Sequence, residues 1–304
     1  MGVTQQIRGV CPVLAVPFNS IGDVDYESFR NLVQFNARNG VESVMMFGVA
    51  SENAKLTDAE REELLTILIE EKRKSSLIVI ATVADHSLEL AKIKARRFEE
   101  IGADFINILP PTFLSPTREQ ILEHIRGILE SVSIPVIIQH LPQAGGMEDV
   151  AVLAELCHQF PNLSMIKCEA NPPFESIARV KEISKGSVGT LIGWGGIAWG
   201  KGTAAGAVGV QPGSAVVDLY KWAQRALDRG DVAEFDKRLA TFIPWITLWI
   251  ANVELLVAIE KEILFRRGVI ATSYCRRPTT GWDASLEKTI DDAMAFINAG
   301  DFSG

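Results

Sequence analysis

Three short apolar segments reveal the architecture of the chain: LIVIATV at residues 77–83, ADFINIL at 103–109 and PVIIQHL at 135–141. Each is rich in β-branched residues and too short for a typical helix. Apolar side chains at consecutive positions are typical of parallel strands that are buried on both faces. The stretches between these segments, residues 87–101 and 117–132, have helical periodicity. The alternation therefore predicts β-α-β units.

The same alternation extends over most of the chain. Five further runs have the length and composition of strands: residues 10–18, 43–47, 163–168, 188–193 and 206–211. Eight strand-helix units favour a closed (β/α)8 TIM barrel, an α/β fold, over an open doubly wound sheet. Four helical patterns without a strand signal follow the eighth run. We therefore expect a catalytic barrel in residues 1–215, with the last barrel helix and a C-terminal helical extension in 216–304.

Composition and charge exclude several classes of protein. The 304 residues are 47% hydrophobic and 22% charged, as in ordinary globular proteins. A formal net charge of -8 leaves no basic field for nucleic acid or an anionic membrane surface. The four cysteines are far apart and lack the spacing of zinc ligands, so we expect no metal. With no apolar leader and no apolar run long enough to span a bilayer, we expect a cytoplasmic protein without a membrane partner.

Lys167 is the first candidate for chemistry, because reactive groups of a (β/α)8 barrel lie at the carboxyl ends of the strands. The sixth run ends in Ile166-Lys167-Cys168-Glu169. Burial there disfavours the charged form of a lysine, and a neutral amine is a nucleophile toward carbonyl carbons. The residues alone are equally consistent with a lysine that reaches solvent or pairs with Glu169.

From residue 7 to residue 299 the chain resembles the dihydrodipicolinate synthase and N-acetylneuraminate lyase superfamily of Schiff-base-forming barrels. The matching positions are 13–18 (VLAVPF), Gly22, Asp25, 48–52, 56–61 (LTDAER), 102–104 (GAD), Pro135, Pro142 and 166–167 (IK). The resemblance implies a (β/α)8 barrel that acts on pyruvate or a related 2-oxo acid through an imine at Lys167. It also implies a homo-oligomer, usually a tetramer, and no cofactor other than the covalent imine.

Three departures from the family pattern argue against dihydrodipicolinate synthesis. The loop after the second strand reads Gly-Val-Ala-Ser-Glu (48–52) where the family has Gly-Thr-Thr-Gly-Glu. The fifth strand offers Gln139 instead of the usual tyrosine, and Pro111 and Thr112 replace the tyrosine pair after the fourth strand. Ala144 stands where the synthase has an arginine that holds the second substrate, so a charge-assisted anchor is missing.

The remaining pattern resembles the L-2-keto-3-deoxyarabonate dehydratases, in which glutamine replaces the strand-five tyrosine and the lysine is followed by x-Glu. Gln139 and Lys167-Cys168-Glu169 fit that branch. The resemblance implies that Lys167 condenses with the C2 carbonyl and that Glu169 is the general acid and base. Gln139 cannot transfer a proton, but its amide can orient a water molecule or the leaving hydroxyl.

Six further residues are predicted to bind substrate or to shape the site. We expect Ser51 and the backbone N–H groups of Ala50 and Ser51 to bind the substrate carboxylate, and Glu52 to brace the loop. Gly193 permits close backbone approach, and Trp194 either stacks over the substrate or packs. The ordinary pKa range of a histidine suits His140 for proton transfer. Because it is adjacent to Gln139 on the strand, however, its side chain points to the opposite face. The six predicted substrate-binding residues are thus Ser51, Ala50, Glu52, His140, Trp194 and Gly193.

Two alternatives to a dehydratase stay open. One is a pyruvate-dependent aldolase or synthase, such as a 4-hydroxy-2-oxo acid aldolase or a dihydrodipicolinate synthase-like enzyme. The other is a non-catalytic sensor that keeps Lys167 and binds a 2-oxo acid, which the missing tyrosines leave possible. Product analysis separates the first alternative, and turnover of keto-deoxy acids separates the second.

Overall fold

The computed structural model describes residues 5–142, 149–300 and 302. Eight parallel strands form one sheet in the order β1-β8-β7-β6-β5-β4-β3-β2. They are β1 (Gly9–Val10), β2 (Ser43–Met46), β3 (Ile78–Val83), β4 (Phe105–Ile108), β5 (Val136–His140), β6 (Leu163–Cys168), β7 (Gly189–Ile192) and β8 (Gly209–Val210). The predicted (β/α)8 barrel is confirmed.

The barrel closes between β1 and β2, and here one strand prediction is too long. Residues 10–18 are predicted as a single strand, but only Gly9 and Val10 form a regular ladder, with β8. Pro12 has no N–H to donate, so a continuous ladder cannot run through it. Beyond Pro12, Val13 forms an isolated parallel bridge with Met45, which joins the two ends of the sheet.

Helices follow the strands and cover the outside of the barrel. The seven between strands are α1 (Tyr26–Arg38), α2 (Asp58–Ser75), α3 (Leu88–Ile101), α4 (Arg118–Leu129), α5 (Val150–Glu155), α6 (Phe174–Ser184) and α7 (Trp199–Ala205). Four more follow β8: α8 (Val217–Asp228), α9 (Val232–Trp249), α10 (Val253–Arg266) and α11 (Ala284–Ala299). None of the helices in the described residues is long and apolar enough to cross a membrane.

The inside of the barrel changes from apolar to polar toward the carboxyl ends of the strands. Its apolar layer includes the buried side chains of Ile80, Phe105, Ile137 and Met165. Two residues further along the same four strands stand Thr82, Asn107, Gln139 and Lys167. Because strand side chains alternate between faces, residues two apart share a face. The four polar side chains therefore form the next layer up, at the mouth of the barrel.

Candidate active site

Lys167 lies in this polar layer and is almost completely buried, with 5% of its surface exposed. Its Nζ atom is 3.4 Å from Glu169 Oε1. The side chain borders a cavity of about 90 Å³ whose walls include Ala50 and Trp194. Lys167 is thus a buried amine that faces a cavity, as a nucleophile toward a small carbonyl compound requires.

The cavity at Lys167 is one end of a longer cleft. It shares Gln139, Leu141 and Trp194 with a neighbouring cavity of about 460 Å³. A third cavity of about 360 Å³ follows. Val49, from the loop after β2, and Val253, from α10, line all three. The cleft therefore has room for a substrate that extends beyond the carbonyl end.

Glu169 has its carboxylate held from several sides. Oε2 accepts a hydrogen bond of 2.5 Å from Gln139 Nε2, and Oε1 accepts one of 2.8 Å from the backbone N–H of Trp194. The backbone register of β5 and β6 pairs Gln139 with Lys167, which brings the amide beside the lysine. Since the carboxylate also lies 3.4 Å from Lys167 Nζ, Lys167, Glu169 and Gln139 form one cluster.

Gly193 and Trp194, which follow β7, make room for Glu169 and hold it. A Cβ atom at Gly193 would overlap Glu169 Oε1, so the carboxylate would have to move. Trp194 has a φ angle of 51°, and this turn aims its N–H at the carboxylate. The indole is half-buried and lines the cleft. Gly193 therefore acts through the position of Glu169, whereas Trp194 contributes both a backbone donor and a wall.

Ser51 does not fit its predicted role as a direct donor to the substrate carboxylate. Its hydroxyl donates a hydrogen bond of 2.7 Å to the carbonyl of Leu14, and its N–H donates one of 3.0 Å to the carbonyl of Gly48. The side chain is fully buried. Because a serine has one hydroxyl proton and one N–H, both donors are already used. Ala50, its neighbour, does line the cavity at Lys167.

Glu52 is buried between two lysines. One oxygen lies 3.0 Å from Lys55 Nζ, and the other contacts Lys261 on α10. Lys261 is fully buried, and burial lowers the pKa of its ammonium. Glu52 lines the third cavity and is not among the residues around Lys167. The structure thus places Glu52 as a brace between the loop after β2 and the C-terminal helices.

His140 is separated from the lysine cluster by the alternation of side chains along β5. It is 2% exposed and lines the middle cavity together with Leu141 and Leu153. It is not among the residues around the cavity at Lys167. His140 therefore belongs to the wall of the cleft away from the Lys167 amine.

The structure also accounts for the tyrosines. Tyr26, Tyr220 and Tyr274 are the only three in the chain, and none of them lines the three cavities. Tyr220 is buried and donates its hydroxyl proton to the carbonyl of Gly195. Ala144, at the position of the synthase arginine, lies outside the described residues. No phenol therefore borders the described cleft.

Sequence reasoning missed two polar residues of this layer, Thr82 and Asn107. Asn107 is fully buried and donates hydrogen bonds of 3.3 Å to Thr82 Oγ1 and to Gln139 Oε1. The available signal was their spacing: each stands two residues after an apolar residue of the interior layer, as Gln139 and Lys167 do. A polar residue inside an otherwise apolar strand, two positions after a residue of the interior layer, is therefore a candidate for the polar layer at the mouth of the barrel.

A buried carboxyl group, Glu260 on α10, lies beneath the loop after β8. A Cβ atom at Gly213 would lie 1.3 Å from Glu260 Oε1, so the carboxyl group fills the space of a missing side chain. Burial raises the pKa of Glu260 to about 8, although a backbone hydrogen bond at Ser214 acts in the opposite direction. Its Oε2 atom has no hydrogen-bond partner among the described residues. Gly213 itself lines the cavity at Lys167.

Fold and site together define a (β/α)8 barrel with a buried lysine at its mouth. The chain belongs to the Dihydrodipicolinate synthetase family, whose profile matches residues 6–296. Within the described residues, no group of three or more His, Cys, Asp or Glu is arranged to hold a metal ion.

Individual relatives agree with this assignment. A protein of Chlorobaculum parvum named 4-hydroxy-tetrahydrodipicolinate synthase is 31% identical over 175 residues, which are 56% of this chain and 57% of that protein. One of the same name from Persephonella marina is 31% identical over 58% of each chain. The chain thus matches little more than half the length of these relatives. The crystal structure of dihydrodipicolinate synthase from Rhodopseudomonas palustris has a TM-score of 0.87 and 25% identity, and covers 97% of this chain and 99% of that one.

Proposed function

We propose that the protein is a Schiff-base lyase that dehydrates a 2-keto-3-deoxy sugar acid similar to L-2-keto-3-deoxyarabonate. One observation carries the proposal: Glu169 lies 3.4 Å from Lys167 Nζ, and Gln139 and the Trp194 N–H hold its carboxylate there. A nucleophilic amine and a positioned acid-base group are the minimum that imine-based elimination requires.

The reaction begins at Lys167. Its neutral amine adds to the C2 carbonyl, and loss of water from that carbon leaves an imine that withdraws electrons from C3. Glu169 takes the C3 proton, which gives an enamine. The enamine then expels the C4 hydroxyl, and Glu169 returns the proton, so that water leaves and the carbon chain stays intact. Two protons, one from C5 and one from its hydroxyl, then move to C4 and C3, which converts the unsaturated imine into the imine of a semialdehyde. Hydrolysis of this imine releases the semialdehyde and the free amine.

Gln139 supports these steps without transferring a proton. Its Nε2 atom donates to Glu169, and its side chain lines the cavity that would hold C3 and C4. Ala50 lies in the same wall, and its backbone N–H remains our candidate for the substrate carboxylate. The substrate is therefore a small 2-oxo acid, and the covalent imine at Lys167 takes the place of a cofactor.

An aldolase or synthase is the second candidate, and the names of the relatives favour it. The absence of a tyrosine from the described cleft weighs against it, because a phenolic proton relay would then lack its phenol. A sensor without turnover is the third candidate. A homotetramer in the cytoplasm stays a prediction, and light scattering of the purified protein tests its oligomeric part.

Borohydride trapping tests the proposal. Intact mass is measured after reduction with pyruvate and, separately, with L-2-keto-3-deoxyarabonate, for the wild type, Lys167→Ala and Lys201→Ala. We expect an adduct that disappears only in Lys167→Ala, because Lys201 is exposed on α7. Product analysis then separates the enzymes: dehydration gives a semialdehyde, and an aldolase releases pyruvate. Absence of any adduct in the wild type would refute the imine.

A further inference from the structure

We propose that Asn107 is a positioning residue that fixes which end of the Gln139 amide faces Glu169. The inference rests on the proposed function, because it assigns Asn107 a part in the proton transfers of Glu169. Asn107 does not line any of the three cavities of the cleft. It therefore acts through Gln139 and does not touch the substrate.

Asn107 is the donor at the start of a hydrogen-bond chain that runs through Gln139 to Glu169. Asn107 Nδ2 donates to Gln139 Oε1 over 3.3 Å, and Gln139 Nε2 donates to Glu169 Oε2 over 2.5 Å. The second proton of the Asn107 amide goes to Thr82 Oγ1. Asn107 and Gln139 are both at least 98% buried, so water does not replace these partners readily.

The direction matters because the two ends of an amide have the same shape and opposite hydrogen-bonding character. An ionised carboxylate only accepts hydrogen bonds, so Glu169 requires the N–H end of Gln139. If the carbonyl end faced Glu169, two acceptors would oppose each other at a buried site, and the carboxylate would move away. Asn107 prevents this by presenting an N–H group to the carbonyl oxygen of Gln139.

Removal of the Asn107 amide should therefore affect proton transfer more than imine formation. Without it, Gln139 Oε1 loses a buried partner, and the amide keeps its hydrogen bond to Glu169 but is held less firmly. Lys167 is not bonded to Asn107, and its access to a carbonyl carbon stays as it was. The expected signature is an imine that still forms and a C3 proton that exchanges slowly.

Pyruvate is the probe, since its methyl carbon is C3 and no net reaction is needed. Four proteins are compared: wild type, Asn107→Leu, Gln139→Leu and the double variant. Exchange of the pyruvate methyl protons in D2O is followed by NMR, and the imine by borohydride trapping. We expect Asn107→Leu to lower exchange roughly 10- to 100-fold, while trapping changes less than about threefold. In the Gln139→Leu background, Asn107→Leu should have no further effect on exchange.

Asn36→Leu is the matched control. Asn36 is a fully buried asparagine on α1 whose Nδ2 donates to the carbonyl of Leu32 over 2.8 Å. Its replacement should lower thermal stability and leave exchange unchanged. If leucine is not accommodated at position 107, Asn107→Ala carries the same comparison.

Each outcome separates the inference from the proposed function. Equal losses from Asn107→Leu with and without Gln139 would overturn the inference, because the two side chains would then act independently. Undiminished exchange in Asn107→Leu would overturn it too. If the wild type gives no adduct with either pyruvate or L-2-keto-3-deoxyarabonate, the proposed function fails, and this inference fails with it. If the wild type is trapped but shows no exchange, imine formation at Lys167 is supported. Proton transfer by Glu169 is then contradicted, and so is the role of Asn107.

Discussion

Replacement of Glu260 by glutamine should stabilise the protein at neutral and alkaline pH but not in acid. Burial raises the pKa of this carboxyl group from 4.5 to about 8. The folded protein therefore holds a proton that the unfolded chain releases above pH 4.5, so the stability of the wild type falls as the pH rises from about 4.5 to about 8. At pH 7 the difference of about 2.5 pH units from the ordinary value corresponds to roughly 3 kcal/mol. Glutamine has a similar shape and cannot ionise.

Thermal unfolding of the wild type and Glu260→Gln at pH 5, 7 and 8.5 measures this effect. The midpoints should nearly coincide at pH 5, and that of Glu260→Gln should be higher by roughly 5–10 °C at pH 8.5. Tyr220 is an ionisable group near this carboxyl, and burial holds the pKa of its phenol well above the range of the assay. Glu63→Gln, at an exposed site on α2, is the control and should not change the pH dependence. A midpoint difference that stays constant from pH 5 to 8.5 would mean that Glu260 does not lose a proton in this range.

Two further variants test the site and its support. Gly193→Ala places a methyl group where Glu169 Oε1 now lies, so turnover should fall roughly 10²- to 10⁴-fold while borohydride trapping persists. Gly281→Ala, where a Cβ meets no atom within 4 Å, should be neutral; equal effects of the two would contradict the assignment. Glu52→Gln leaves the buried ammonium of Lys261 without its carboxylate, which should cost roughly 3–5 kcal/mol of stability. Adding Lys261→Met should recover part of that loss in thermal unfolding, and no recovery would argue against a buried ion pair.

The fold was predictable because the signal for each strand is local. Apolar, β-branched runs mark the strands, and the one large error, at residues 10–18, comes from Pro12, whose missing N–H interrupts the ladder. The capping box of α2 was also readable from the sequence, since Thr57 and Glu60 are three residues apart, and it is confirmed. Hydrophobic periodicity and the residues that end strands or cap helices are both short-range properties, and together they were enough to predict the architecture.

The site was predictable only where a residue lies at the end of its strand. Lys167 and Gln139 stand there, and the structure brings them together with Glu169. Ser51 shows the limit: a hydroxyl in the right loop says nothing about its partner, and only the fold reveals that the Leu14 carbonyl takes its proton. To predict the place of Asn107, one must know which face of its strand points into the barrel. That property follows from closure of the sheet and not from any one segment.

The contribution of α10 to the cleft has a consequence for protein engineering. Val253 lines all three cavities, and Leu256 lines the one at Lys167, while Lys261 ties the helix to the loop after β2. A barrel shortened after residue 215 would keep all eight strands and Lys167, yet it would lose this wall and open the amine to bulk water. The barrel and the C-terminal helices are therefore not interchangeable modules. A chimera that joins either part to a relative's counterpart must preserve the contacts of Val253 and Lys261 before it can enclose a substrate.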